Sequence, residues 1–148
     1  MHRLASSAAC LLLILFAGIV QAQARLSIRA ASAQPVEGWQ RMLVEHSDRV
    51  VWVAPTAAVT AADIERAQPE VNFNGDTRIG VVFTDEGARR MRDLTIAQKK
   101  KLIALVVDDK VIWAPTVQAE TGKEAVLTGN GPHGLTQEEV ERIMASLR

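Results

Sequence analysis

The residue types of a hydrolytic triad stand side by side at His46, Ser47 and Asp48. A triad works through a chain of hydrogen bonds that runs from the serine hydroxyl to the imidazole and on to the carboxylate. Three consecutive side chains cannot form that chain with one another in that order. The cluster therefore predicts a turn. Since no other arrangement assembles a nucleophile and a base, the sequence predicts a protein that is not an enzyme.

Two further patterns resemble binding sites only in part. His46 and His133 have no cysteine or second histidine at metal-ligand spacing, so a metal site would need carboxylates from distant parts of the chain. The segment Gly129-Asn130-Gly131 could offer N–H groups to an anion, but no strand and lysine-bearing helix frame it as a phosphate loop requires. Turns are predicted at both places, and no cofactor is expected.

The most informative segment is Leu102–Pro115, with the sequence LIALVVDDKVIWAP. Leu102–Val107 is continuously apolar, which is typical of a strand buried on both faces. The pair Asp108-Asp109 tolerates the backbone angles of a tight turn, and Val111–Ala114 supplies the returning strand. Pro115 ends that strand because it has no N–H to donate. The segment is predicted to be a hairpin in the middle of a sheet.

Trp113 is the residue in this hairpin best suited to contact another molecule. Strand side chains alternate, so Val111 and Trp113 are expected on one face, and Ile112 on the other. If Trp113 is exposed, it would anchor an extended peptide or a protein partner, with Val111 and Pro115 beside it. If it is covered, it is part of the core.

Three helices are predicted, beginning at Thr60, Thr84 and Thr136. Thr60 and Thr136 are each followed three residues later by an acid, Asp63 and Glu139, which is the pattern of a capping box. Thr84 precedes two acidic residues, whose charge suits the start of a helix.

Further strands complete the predicted fold. Trp39–Glu45 and Arg49–Ala54 are expected to pair as a hairpin, although a helix over Val36–His46 is an alternative. Ile79–Phe83 and Glu124–Thr128 are two more strands. The order predicts an α+β fold with a mixed, largely antiparallel sheet of about five to six strands and three helices mainly on one face.

The chain is predicted to have three parts. Residues 1–24 form a signal peptide with a short apolar run and a small-residue cleavage pattern, so the protein is expected to be exported; an uncleaved membrane anchor is the alternative. Residues 25–37, rich in Ala, Ser and Gln, are expected to form a flexible tether. Residues 38–148 are expected to form a single domain.

Composition excludes several classes of function. The only cysteine, Cys10, lies in the leader, so residues 25–148 cannot form a disulfide or a thiolate metal site. Cleavage of the leader would take away one basic residue and no acidic residue, so residues 25–148 carry 16 basic and 17 acidic side chains. A net charge of −1 argues against nucleic-acid binding.

One basic stretch has two interpretations. Its members are Arg89, Arg90, Arg92, Lys99, Lys100 and Lys101. The favoured interpretation is a solvated helix face with bases near the helix C-terminus. The alternative is weak contact with anionic lipid headgroups, which would be the chain's only membrane contact apart from the leader.

Several spaced motifs resemble the head subdomain of the first periplasmic domain of the SecD/SecDF protein-export proteins. The specific piece is Asp108–Pro115, DDKVIWAP, which is similar to the family's D-G-K-V-I-S-A-P. The others are Val59–Ile64, Val81–Met91 and Leu127–Glu139. Asp109 replaces the family's glycine, Trp113 replaces a small residue, and residues 131–134 are an insertion.

The resemblance implies the fold of a periplasmic module that contacts translocating polypeptide. It does not imply a proton-driven motor, because no spanning segment follows the leader. Two functions remain open at this point. One is an accessory at the outer face of the secretion machinery, with the translocon or exported chains as partners. The other is a free-standing protein- or ligand-binding domain that shares only the fold.

Overall fold

The computed structural model describes residues 25–148, so the predicted leader lies outside the described residues. The strands are β1 Leu26–Ser32, β2 Gln40–Leu43, β3 Val50–Val53, β4 Val59–Thr60, β5 Ile64–Val71, β6 Thr77–Phe83, β7 Leu102–Val107, β8 Lys110–Trp113 and β9 Glu124–Leu127. The helices are α1 Asp85–Ala97 and α2 Gln137–Ser146, with a 3₁₀ turn at Ala61–Asp63. Within the described range, no helix is long and apolar enough to cross a membrane.

The larger sheet is built around β1, which lies in the segment predicted to be a tether. The strand order is β2-β3-β1-β7-β8, and β4 also pairs with β1. β1 runs antiparallel to β7, from Leu26 opposite Val107 to Ala31 opposite Leu102. The tether prediction is therefore wrong for residues 26–32. The segment is a strand because Leu26 and Ile28 enter the main core and Ala31 enters the inner core of the sheet.

The larger sheet curls until its two edges meet. Val44, just after β2, forms a parallel bridge with Val111 of β8, and the Glu45 N–H donates to the Val111 carbonyl at 2.8 Å. The enclosed face forms an inner core of Ala31, Val44, Val51, Val53, Leu102, Ala104, Val106, Val111 and Ala114. Small and β-branched side chains predominate because a tightly curled sheet encloses little volume.

The helix predicted at Thr60 is a single 3₁₀ turn. The predicted capping bond forms, since the Thr60 N–H donates to Asp63 Oδ2 at 3.0 Å. The chain then enters β5, and a second antiparallel sheet forms in the order β5-β6-β9. The chain leaves the turn at Ile64 because it pairs with β6 from there on, and Pro69 fits this edge strand but would clash inside a longer helix.

The two α-helices begin where the sequence predicts. The Gly87 N–H donates to Thr84 Oγ1 at 3.0 Å. At the second helix, the Glu139 N–H donates to Thr136 Oγ1 at 3.2 Å, and the Thr136 N–H donates to Glu139 Oε1 at 2.9 Å. This reciprocal pair is the predicted capping box.

Both predicted hairpins form. β2 and β3 pair antiparallel, which excludes the helical alternative for this segment. β7 and β8 are joined by Asp108 and Asp109, whose φ angles are 50° and 63°. Two consecutive left-handed residues are the signature of the tight hairpin turn that matches strand twist. β7 is buried along its whole length, as predicted.

The second sheet and the helices pack against the outer face of the larger sheet and form the main core. Its largest fully buried side chains are Phe83, Leu26, Ile79, Ile112 and Ile143. The α+β class and the largely antiparallel pairing are confirmed. The prediction of one sheet with three helices is wrong, because the described residues form two sheets and two α-helices.

Candidate functional site

An apolar groove of about 550 Å³ lies between the end of β8 and β9. Trp113 and Pro115 line it on the β8 side, Met91 contributes from α1, and the whole of β9 lines it on the other side. Further apolar lining comes from Ile28, Ile103, Leu105, Val117 and Leu127. An open apolar groove of this size is large enough for several side chains of a partner.

Trp113 reaches this groove because β8 contains a β-bulge. Val111 lies opposite Val106, and the next matched pair is Trp113 opposite Leu105. Ile112 is therefore an extra residue, and a bulge of this kind interrupts the alternation of side chains. Val111 belongs to the inner core, whereas Ile112 and Trp113 pack with the main core. The expectation that Val111 and Trp113 share a face is wrong.

Two of the three residues predicted to contact a partner line the groove. Trp113 and Pro115 are both partly exposed there. Val111 is 0% exposed and encloses the inner core, so it offers no surface to a partner and that assignment is corrected. Partner contact by Trp113 and Pro115 stays a prediction.

The segment at 116–122 forms part of the groove and is fixed by a buried threonine. Thr95 is 2% exposed; its hydroxyl donates to the Met91 carbonyl at 2.9 Å and accepts the Thr121 N–H at 3.0 Å. This bond ties the segment to α1. Sequence analysis missed Thr95, because a threonine inside a helix carries no signal of its distant partner.

The charged residues that line the groove, among those described, are Glu120 and Glu124. Glu120 pairs with Arg92 at 3.0 Å, and both side chains are about half exposed. Next to Glu124, the Lys123 ammonium donates to the Asp85 carboxylate at 2.7 Å. That hydrogen bond lowers the pKa of Asp85 and raises the pKa of Lys123. Arg92 therefore offsets the charge of Glu120, and Glu124 is the lining carboxylate that has no ion-pair partner among the described residues.

The predicted turn at His46 is observed. His46 has a φ of 55°, in the left-handed region. The Ser47 hydroxyl donates to the Val44 carbonyl at 2.9 Å and accepts the Arg49 N–H at 3.1 Å. These bonds close the turn. His133 also lies in a turn, and its side chain is 87% exposed.

The fold brings His46 close to two carboxylates, Glu45 and Glu139, with their ligand atoms within 4.8 Å of one another. Sequence analysis missed this cluster because Glu139 is far along the chain. Both carboxylates already form hydrogen bonds within the protein. Arg142 Nη1 lies 3.0 and 3.1 Å from the two Glu45 oxygens, and Glu139 caps α2. A metal cation bound here would have to compete with Arg142 for the Glu45 carboxylate.

The basic stretch divides into two groups. Arg89 pairs with Glu86 in the same helix, and Arg90 and Arg92 pair with carboxylates from elsewhere in the chain. The three lysines at 99–101 are exposed at the end of α1. The arginines thus belong to a solvated helix face, which is the interpretation that the sequence favoured. Lipid contact by the lysines stays a prediction.

The architecture and the groove define the class of protein: an α+β module with a curled sheet, a second small sheet and an apolar groove between them. The family described as "SecDF, P1 head subdomain" matches residues 39–148. The chain belongs to this family, as the motifs around the β7–β8 hairpin predicted.

The curated relatives are much longer than this chain. It is 33% identical over 93 residues to protein translocase subunit SecD of Elusimicrobium minutum, which is 61% of this chain and 18% of that protein. It is 38% identical over 72 residues to SecD of Rhodobacter capsulatus, 48% of this chain and 13% of that protein. It is 35% identical over 72 residues to SecDF of Thermus thermophilus, which is 48% of this chain and 10% of that protein.

Solved structures show the same fold. One SecDF structure superposes with a TM-score of 0.60 at 25% identity and covers 83% of this chain and 61% of that one. It is described as a membrane component that enhances protein export. SecDF in its super-membrane-facing form gives a TM-score of 0.59 at 23% identity, over 82% of this chain and 18% of that one.

Proposed function

We propose that this chain is a non-catalytic, exported module that contacts polypeptides as an accessory in protein export. Membership of the SecDF P1 head family supports the link to export. The predicted leader supports a location outside the cytoplasm, in the periplasm or beyond it. Partners would be exported chains or components of the translocon.

The groove beside Trp113 is the observation that carries this proposal. It offers an indole, a proline and aliphatic side chains on one open surface, and tryptophan is the side chain most enriched where proteins bind one another. Such a surface suits unfolded or extended polypeptide, which exposes apolar side chains that folded proteins bury. The proposal assigns the chain no catalytic step.

Photocrosslinking in living cells tests the proposal. A photoreactive residue replaces Trp113, and the matched control places the same residue at Phe73, which is 97% exposed and lies outside the groove. We expect crosslinks from position 113, and not from position 73, to exported chains or translocon components. Crosslinks from 113 to one unrelated protein would instead favour a free-standing binding domain. No crosslink from 113 would argue against polypeptide contact altogether.

A further inference from the structure

We infer that β9 takes up a polypeptide as an added β-strand, so that an extended chain pairs with its free edge while alternate side chains enter the groove. This inference rests on the proposed function, because it specifies how a polypeptide would lie in the same site. The occupant is an extended segment that alternates apolar and basic residues.

The groove extends along the whole of β9. All four residues of β9, Glu124 to Leu127, line it. Their side chains alternate: Ala125 and Leu127 pack with the main core, whereas Val126 is 41% exposed on the opposite face. Residues from both faces of β9 thus border the same groove, together with Gly122 just before the strand, as expected for a cavity beside a main-chain edge. The groove therefore runs beside that edge.

The edge of β9 that borders the groove is open. Within residues 25–148, the strand pairing of β9 is to β6 alone. In an antiparallel pair, alternate residues direct their N–H and C=O groups to the partner, so the other half point away. A short row of main-chain donors and acceptors therefore borders the groove and can pair with another extended chain.

The other sheet edges are protected by devices that β9 lacks. β5 carries Pro69 and a bulge near Ile64. The edge of β8 is bridged by Val44 and Glu45, which pair with Val111, and Asn130 Nδ2 donates to the Ile112 carbonyl at 3.1 Å. Natural proteins block exposed edges with proline, bulges and covering groups to prevent pairing. A bare edge next to an apolar groove is therefore suited to a strand partner.

Charge specifies the occupant further. Glu120 and Glu124 are the charged side chains among the described lining residues. Because Glu120 is already paired with Arg92, a basic residue on an incoming strand would meet Glu124, while the apolar residues of that strand face Trp113. A lipid or small apolar ligand would use the groove but leave the main-chain edge unpaired.

The test uses fluorescein-labelled ten-residue peptides that alternate valine and lysine, bound to the full chain and followed by anisotropy. Two derivatives carry N-methyl groups on all valine amides or on all lysine amides, which removes main-chain donors and keeps the side chains. Since an added strand pairs through one edge only, we expect one derivative to bind at least about tenfold more weakly and the other to bind like the parent.

The outcomes separate this inference from the proposed function. If the parent binds and both derivatives bind equally well, or both lose affinity equally, strand addition is wrong while polypeptide binding stands. If the parent does not bind, strand addition is wrong as well, and the crosslinks from position 113 decide the proposed function separately. A valine–glutamate peptide should bind a few-fold more weakly than the parent, and equal binding would show that Glu124 does not select basic residues.

Discussion

Asp63 and Arg90 lie 27 residues apart, and Arg90 Nη1 contacts the two Asp63 carboxylate oxygens at 3.1 and 3.3 Å. The Asp63 side chain is 5% exposed, whereas that of Arg90 is 49% exposed. The same carboxylate accepts the Thr60 N–H at 3.0 Å. One buried carboxylate thus fixes the 3₁₀ turn to the first turns of α1, and its burial is tolerated because it is bonded on both sides.

Replacing that carboxylate should destabilise the fold. Asp63→Ala removes the acceptor of the Thr60 N–H and the partner of Arg90, so we expect the free energy of unfolding to fall by about 2–3 kcal/mol. Urea denaturation measures the change. Asp93→Ala, at an exposed position on the same helix as Arg90, should change stability by less than about 0.5 kcal/mol. Similar losses for the two variants would contradict the role given to Asp63.

Gly87 is required because α1 approaches the 3₁₀ turn closely. A Cβ at this position would lie 2.7 Å from Asp63 Cβ and still nearer to the Asp63 carbonyl oxygen. Gly87→Ala should therefore cost about 1–3 kcal/mol of unfolding free energy, despite alanine's higher helix propensity. Gly122→Ala is the control, because no atom lies within 4 Å of its added Cβ. A neutral Gly87→Ala would show that this contact is not tight.

Removal of β1 should abolish folding. A chain that starts at residue 38 loses Leu26 and Ile28 from the main core and leaves β7 without its long antiparallel partner. These losses exceed about 5 kcal/mol, which is comparable to the whole stability of a small domain. A chain that starts at residue 25 should fold. Circular dichroism with thermal melting distinguishes them, and a cooperative transition in the shorter chain would disprove a central role for β1.

The ion pair between Arg25 and Asp108 gives a pH-dependent contribution to stability. Arg25 Nε donates to Asp108 Oδ1 at 2.8 Å, and this hydrogen bond lowers the pKa of Asp108 below its ordinary 3.8. Because the folded carboxyl group is the more acidic one, the contribution is present above about pH 4 and lost as the pH falls through the folded pKa. Asp108→Asn tolerates the left-handed backbone and should be slightly less stable than the parent at about pH 7.

Thermal melts over a pH series test this contribution. The difference between Asp108→Asn and the parent should shrink as the pH falls below about 4 and should then disappear. A difference that stays constant from about pH 7 to about pH 2 would mean that the carboxylate's charge does not matter.

Local sequence signals predicted those parts of the fold that are decided locally. Asp108-Asp109 indicated the hairpin turn because two adjacent residues had to adopt positive φ angles. Thr136 and Glu139 predicted a helix start because both bonds form within one turn. The same signal at Thr60 misled, since the pairing of β5 with β6 and the presence of Pro69 make the chain continue as a strand after that turn.

Features that depend on distant contacts were not predictable. The bulge at Ile112 carries no glycine or proline, so strict alternation gave the wrong face for Trp113. β1 looked like a linker because Leu26 and Ile28 are its only large apolar side chains and its partner β7 lies far along the chain. One wall of the groove, the segment at 116–122, is held by the bond of Thr121 to Thr95, 26 residues earlier, and by main-chain bonds between Val117 and residues 100 and 101.

The central claim is that polypeptide lies in the groove beside Trp113, and the affinity of the valine–lysine peptide for two variants tests it most directly. Trp113→Ala should weaken binding at least about tenfold, because it removes the aromatic wall of the groove. Phe73→Ser, at an exposed aromatic outside the groove, should leave affinity within about twofold of the parent. Unchanged binding by a folded Trp113→Ala, or an equal loss in both variants, would contradict the account.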